Sequence, residues 1–520
     1  MGRVQSFIKP THNLRYDASF ASIATAAVAC FLGVLYFFIV DQRVATNATW
    51  YALTEDALKN PFKAREQWAV SAKEILYGGL EKIKGAIAVI SSTGPLVFLP
   101  NSFADEIRNM KELQFGSYLI QGHYQGLTPF LVVDQHDVTH EVVRRNLTRS
   151  LDSITEDMNA EVEAVLMDML GNVEDLKPFV HRLVARVSSC VFLAPELLEN
   201  AEWIDIAVAY PENSMRAIYQ LRSLHPISRP IAQWWMPALR VCRQQAAKSR
   251  EIINPLKTNI DFAELQLFLS FAAVHITTEM ISGLMCDLIE NEHWMPQIRE
   301  ETVSTLSKHG WKNTLLASMK ILDSAMKESQ RLNKLIDLGM RRVVLSNTTL
   351  SNGTVIPKGY KTRRRNPLLG PDSLPNSEHF EADRFLKLRD TDQSKWYFVT
   401  GSPEHLGFGY GKHTCPGRFF ASNEIKIIIC YLLVKYDWKF AEEERLPTLF
   451  AGAEYIFNDK QKVEMGNDAV RGVLGFSAVQ EEVGDNLPSL STTAAGNGNG
   501  RAMSMEEEVV EVYLLGWQMH

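Results

Sequence analysis

In the stretch Phe408-Gly409-Tyr410-Gly411-Lys412-His413-Thr414-Cys415-Pro416-Gly417-Arg418, one cysteine lies in a glycine-rich loop where a helix is expected to begin. Pro416 suits the first helical position, because its missing N–H would have no partner there. The run from Arg418 to Val434 reads as an apolar helix. A thiolate at Cys415 would then sit at a helix N-terminus, where the dipole and free N–H groups favour negative charge. Gly411 and Gly417 let the backbone come close to something flat and large. This is the chemistry of a thiolate that ligates a metal. A buried structural cysteine is the simpler reading of a lone Cys. Against it stands the order Phe-x-x-Gly-x-x-x-Cys-x-Gly, which constrains four positions together.

Other residues with chemical potential lie upstream. Glu328 and Arg331 are three apart and share one face of a helix, where they can pair. Alone, such a pair is commonly a solvated one, worth under about 1 kcal/mol. Phe380-Glu381-Ala382-Asp383-Arg384-Phe385 supplies a further arginine between that pair and Cys415. Arg342 is expected at the start of a strand, with Arg341 as its competitor, and its planar fork suits a carboxylate. Asp261 to Leu288 reads as a long, largely buried helix carrying Ala272, Ala273, His275, Ile276 and Thr277. Taken alone, His275 is a core histidine satisfied by hydrogen bonds.

The elements that must position these groups read as mainly α with small β-sheets (α+β). The 520 residues are 46% hydrophobic and 22% charged, a globular composition. A net charge of −7 gives no sign of a nucleic-acid partner. Six scattered cysteines contain no C-x-x-C and suggest neither a zinc site nor a disulfide framework. After a short N-terminal segment (1–17), residues 18–40 carry no charged side chain and are long enough to span a bilayer core of about 30 Å. Residues 41–80 read as linker and membrane-proximal helix, 81–465 as the catalytic domain, and 466–520 as an atypical, low-complexity tail. Pro95 to Pro100 reads as a strand, after which Asn101 is expected to cap a helix; Val343 to Lys358 reads as strands around a turn at Ser351–Thr354.

The Cys415 loop closely resembles the haem-binding loop of cytochromes P-450, in the form seen in fungal members. The resemblance implies the cytochrome P-450 fold with an N-terminal transmembrane helix, and haem with Cys415 as axial iron ligand. The family's thiolate pushes electron density toward O–O cleavage. Phe408 would pack beneath the haem, and His413 and Arg342 would contact its propionates. Glu328, Arg331 and Arg384 would form a buried structural cluster. The helix with His275 would cross the distal face, its two alanines leaving room for dioxygen. Where the family has a threonine that helps deliver protons, this chain has Ile276. Thr277 lies one residue on, rotated about 100°; either a local helix bulge brings it into that role or the substrate's own hydroxyl takes it. The implied activity is oxidation of a lipophilic small molecule, such as a terpenoid secondary metabolite. NADPH would supply electrons through a cytochrome P-450 reductase, and the catalytic domain would face the cytosol from the endoplasmic reticulum membrane. The alternative is a haem protein of the same fold without monooxygenase turnover. Two segments are shorter than the family's: Gly359 to Phe380, with its basic run Tyr360–Asn366, and the connection Asn254–Asn259.

Overall fold

The computed structural model describes residues 46–466 apart from 123–142, 170–174, 194–196, 198–199, 225–227, 254–261, 310, 312, 334–337, 366–373, 393, 443 and 452–453, together with Ser22, Thr25, Val28 and Cys30. The expected anchor (18–40), apart from those four helical positions, and the tail beyond 466 lie outside the described residues, as do Asn254–Asn259.

Side-chain caps open the first helices. Thr54 accepts from the Ala57 N–H to start α1 (Glu55–Lys59). Asn60 accepts from the Phe62 N–H, with Pro61 at N1, to start α2 (Pro61–Lys82). Strand β1 (Thr49–Trp50) joins a six-stranded sheet whose other members are β2 (Ile87–Ser91), β3 (Gly94–Phe98), β4 (Leu113–Gln114), β5 (Leu338–Val344) and β8 (Lys361–Arg365), in the order β1-β2-β3-β8-β5-β4. Strand β1 and helices α1 and α2 fall largely within the segment 41–80 expected as linker and membrane-proximal helix. Trp68, Ala72, Ile75 and Leu76 of α2 pack with Ile87, Val89, Leu96 and Phe98, because the sheet offers that amphipathic face an apolar cover.

Asn101 behaves otherwise than expected. It begins a 3-10 turn leading into α3 (Ala104–Ile107), and its side chain accepts from Arg364 Nε at 2.9 Å instead of capping. The remaining helices form the bundle: α4 (Phe115–Gly122), α5 (Leu151–Met169), α6 (Leu176–Phe192), α7 (Ala201–Ser223), α8 (Arg229–Ala232), α9 (Pro237–Ile253), α10 (Phe262–Glu290), α11 (Met295–His309), α12 (Asn313–Ser318), α13 (Lys320–Leu332), α14 (Arg384–Leu388) and α15 (Arg418–Lys435). One apolar core joins α5, α6, α7, α9 to α13 and α15, while a second lies under the sheet. Small pairs complete the strands: β6 (Thr348–Thr349) with β7 (Val355–Ile356), β9 (Asp437–Phe440) with β12 (Val463–Gly466), and β10 (Leu449–Ala451) with β11 (Glu454–Ile456).

Helix α10 is apolar on nearly every side, as suits a helix enclosed by others. It is long and apolar enough to cross a membrane, yet most of it is buried inside this fold. Strand β5 starts at Leu338, earlier than the sequence suggested, so Arg342 lies inside it. A bulge separates Gly339 from Arg342 in the pairing with β8, and Met340 there has φ 49°. A bulge re-aims the side chains beyond it. Here it leaves Arg342 buried and Arg341 half-buried.

Candidate cofactor-binding site

The Cys415 loop is tied down on all sides. The Cys415 N–H donates to the Phe408 carbonyl at 2.8 Å, and Arg418 Nη1 donates to the Cys415 carbonyl at 2.8 Å. Helix α15 starts at Arg418 with Gly417 as its cap, so Pro416 precedes the cap and does not occupy the first helical position. The thiol is still at a helix N-terminus. Burial pushes its proton affinity up, while the Gly417 N–H, which donates to the sulfur, and the Arg418 guanidinium act against that rise. A metal ion would complete the compensation by favouring the thiolate.

The two glycines serve different ends. Gly411 has φ 78°, and a Cβ there would lie 2.6 Å from the Arg108 carbonyl oxygen, so the turn itself demands glycine. Among the described residues, a Cβ at Gly417 would meet only Val143 Cγ1, at 3.8 Å, an ordinary contact distance. Phe408 meets Phe398 edge to face at 5.0 Å between ring centroids.

The expected ionic cluster is assembled. Arg331 donates from Nε and Nη2 to the two oxygens of Glu328 at 2.9 and 2.8 Å. Arg384 Nε adds 2.8 Å to Oε1, and its other nitrogens hold the carbonyls of Pro375, Asn376 and His379. All three side chains are buried, and this changes their weight from a surface pair to a group whose disruption costs several kcal/mol. A second knot was not foreseen. Asp323 accepts from Lys426 on α15, from Arg389 and from the Phe398 N–H, binding α13, α15 and the segment before the cysteine loop together. Lys327 donates to the carbonyls of Tyr397 and Thr400, and burial brings its proton affinity down to about 7.

Arg342 and His413 flank one ring. The Arg342 guanidinium lies 5.9 Å from the Phe115 centroid, and the His413 ring 6.4 Å from it. Arg342 is 2% exposed, and its Nε and Nη2 meet no hydrogen-bond partner among the described residues. Only Nη1 is engaged, by the Arg341 carbonyl at 2.7 Å. Burial lowers its proton affinity to about 10. A buried cation with two idle donors calls for an anion. Haem, with a metal for the sulfur and carboxylates for the guanidinium, fits these residues.

On α10 the exposed positions before the terminal Glu290 are Ala272 and Ile276, one turn apart, with Ile276 44% exposed. Thr277 is 4% exposed and hydrogen-bonds the Glu424 carboxyl of α15. The helix is regular across this segment, without the expected bulge, so Thr277 faces the core. Ser188 of α6 donates to Glu424 Oε1 at 2.6 Å, and burial raises the Glu424 carboxyl to about 8 against both hydrogen bonds. The polar interruption Asn423-Glu424 in an otherwise apolar helix was the available signal for this pair.

His275 stacks near Phe271, with ring centroids 6.5 Å apart. Its Nδ1 is buried without a partner among the described residues, and burial lowers its proton affinity. Lys177, His181, Glu212 and Glu279 all lie close enough to act on that proton electrostatically. Lys177 Nζ is 2.6 Å from Glu279 Oε1, and His181 Nδ1 is 3.5 Å from Glu212 Oε1.

Bundle, bulged sheet, thiol loop and idle guanidinium together define a helical protein built to hold a flat, anionic, metal-bearing cofactor through one cysteine. A family profile described as Cytochrome P-450 matches residues 247–463. Cytochrome P-450 monooxygenase hepE of Aspergillus oryzae is 33% identical over 442 residues, covering 76% of this chain and 81% of that protein. Cytochrome P-450 monooxygenase easM of Aspergillus fumigatus is 32% identical over 478 residues, covering 81% and 90%. Among solved structures, retinoic acid-bound cyanobacterial CYP120A1 shares the fold with a TM-score of 0.60 at 17% identity, covering 81% of this chain and 98% of that one. The chain belongs to the cytochrome P-450 family, whose cofactor is haem with an axial cysteine thiolate and whose members are monooxygenases.

Proposed function

We propose that this chain is a membrane-anchored monooxygenase that oxidises a lipophilic small molecule of fungal secondary metabolism, of terpenoid type, with electrons from NADPH through a cytochrome P-450 reductase. The observation that carries the cofactor reading is the buried Arg342 with two idle donors, set across Phe115 from His413. Cys415 would ligate the haem iron, Arg342 and His413 would hold the propionates, and Phe408, packed on Phe398, would support the cysteine loop. Bound haem supplies dioxygen activation and transfer of one oxygen atom.

The remaining steps fall to side chains of the chain. Ile276 and Ala272 give the distal face of α10 an apolar lining suited to a hydrocarbon substrate. His275, rather than Thr277, holds the proton for the distal side, because Thr277 is committed to Glu424. Protons reach it from Glu212, which is 47% exposed, through His181, whose Nε2 is buried and without a partner among the described residues. This route requires a water between the two imidazoles, whose His181 Nε2 and His275 Nδ1 have no protein partner among the described residues.

Residues 18–40 serve as the anchor to the endoplasmic reticulum, with the catalytic domain in the cytosol. A second contact supports the membrane reading: Ile231, Trp234 and Trp235 are exposed together at α8 and the turn after it, 59%, 66% and 71%. Indole rings favour the membrane interface. The absence of a hydroxyl at position 276 keeps the alternative, a haem protein of this fold without monooxygenase turnover. A carbon monoxide difference spectrum of the reduced protein tests thiolate-ligated haem. NADPH-dependent oxygen uptake with reductase and a lipophilic substrate then separates the readings: a normal spectrum without uptake would favour the alternative.

A further inference from the structure

Away from Cys415, the sheet, α2, α4 and the end of α7 enclose a cavity of about 200 Å³. Its wall has two characters. Trp68, Leu96 and Tyr219 give it an apolar side. Arg222, Lys361 and Arg363 give it a cationic side, and among the described residues no carboxylate lines it. Strand alternation explains the pairing of Lys361 with Arg363: they share one face of β8, while Arg364 on the other face reaches Asn101 and the Pro403 carbonyl.

The cations meet neutral oxygens here. Lys361 Nζ donates to the Thr93 carbonyl at 3.2 Å, and Arg222 Nη2 to the Gly122 carbonyl at 3.2 Å. Arg363 donates to the Tyr118 hydroxyl from Nε and Nη2. Arg229 reaches in from α8 to the Ser92 carbonyl at 3.1 Å. Neither Lys361 nor Arg222 forms an ion pair among the described residues, and Arg222 Nε is buried without a hydrogen-bond partner there. Burial, then Arg222, Arg363 and Arg229, bring Lys361 down to about 7. Burial alone would raise the Tyr118 phenol, yet Arg363, Arg341 and Arg222 together hold it below its ordinary value. Concentrated, partly desolvated positive charge of this kind costs free energy until an anion offsets it.

We propose that this cavity is a binding site for an amphiphile with an oxyanion headgroup, a carboxylate or phosphate ester, whose apolar part lies against Trp68, Leu96 and Tyr219. The headgroup accepts from Arg222 Nε and Lys361 Nζ. The site stands apart from the cysteine loop. Phe115 at the start of α4 faces Arg342 and His413, whereas Tyr118, one turn on, faces Lys361 and Arg363. The anion can be the tail end of a substrate in transit or the headgroup of a membrane lipid, and the choice of ligand separates the two.

The test uses the full-length, haem-loaded protein in detergent, with calorimetric titration of octanoate, octyl phosphate and octanol. Octanoate and octyl phosphate are expected to bind at least tenfold more tightly than octanol. A preference for octyl phosphate points to the lipid source, and a preference for octanoate to a carboxylate substrate. Replacing Lys361→Gln and Arg222→Gln together should erase the preference, and Lys361→Arg should retain it. Anion binding should also raise the pH midpoint of Tyr118 ionisation, read as the phenolate absorbance lost in Tyr118→Phe. Equal binding of octanol and octanoate by the wild-type protein would overturn the proposal. So would an unchanged preference in the double variant when its carbon monoxide spectrum shows an intact fold.

Discussion

The two faces of the cofactor site are held in different ways. On the proximal side, the Cys415 loop is clamped by backbone hydrogen bonds, by Arg418, and behind it by two buried ionic knots centred on Glu328 and Asp323. On the distal side, α10 offers an exposed isoleucine and alanine, and its nearby hydroxyl is turned into the core toward Glu424. The contrast teaches where rigidity and freedom are placed. The thiolate must sit at one distance from one atom, so its loop is over-determined. In the proposed reading the distal helix needs only shape, while the pairs Lys177–Glu279 and His181–Glu212 act electrostatically on His275 from behind it.

That contrast breaks most forcefully at Glu328. Glu328→Gln leaves Arg331 and Arg384 buried without their carboxylate and should cost roughly 3–5 kcal/mol. Urea unfolding of the haem-loaded protein would show it, with thiolate-ligated haem lost in parallel; a shift under 1 kcal/mol would mean the proximal side is not held by this cluster.

Glu424 gives the next largest effect and its sign depends on pH. Its folded-state affinity, about 8, is raised above an ordinary 4.5. The folded protein therefore holds this proton more tightly than the unfolded chain. Stability from it is complete below 4.5 and is lost as pH rises toward 8, by roughly 1.4 kcal/mol per unit. Glu424→Gln should flatten the stability profile over that window, which thermal unfolding at a series of pH values would reveal. A profile that keeps its slope would show that another group titrates there.

Arg342 sharpens the comparison in a different way. In haem-free protein, Arg342→Gln removes a buried, unpaired charge and should leave the fold no less stable. With haem, the same change removes charge-assisted hydrogen bonds worth roughly 1.5–3 kcal/mol. Haem transfer to an acceptor protein should then speed by tenfold or more, while apo-protein melting stays level or rises.

The smallest effects test the distal side. Thr277→Val should lower stability by roughly 1–3 kcal/mol through the orphaned Glu424, yet leave peroxide released per NADPH unchanged. His181→Gln should do the reverse, raising peroxide release severalfold with little loss of stability. If Thr277→Val alone uncouples the enzyme, the proton route runs through the hydroxyl after all.

Much of the proximal side was legible in the amino-acid sequence, because its information is local. The order of Phe408, Gly411, Cys415 and Gly417 reports a turn that can be built in few ways, and the three-residue spacing of Glu328 and Arg331 places them on one helical face. The long apolar helix was legible for the same reason, though not which of its residues faces the cofactor. Local sequence also misled at Asn101 and Pro416, where a long-range partner, Arg364, and the start of α15 at Arg418 settled matters that capping preferences had suggested otherwise.

By itself, then, the chain's residue order determined a candidate thiolate loop, a helical framework and the shared helical face of Glu328 and Arg331, while the addition of Arg384 to that pair came from the family resemblance. Only the tertiary structure decided how buried they are. It also decided that Arg342 rather than Arg341 turns inward beyond a bulge, that Thr277 belongs to Glu424, and that Lys361, Arg363 and Arg222 converge on one cavity. The physical reason is that spacing along a helix or strand sets a direction in space, whereas burial and charge environment depend on what other segments pack against that direction.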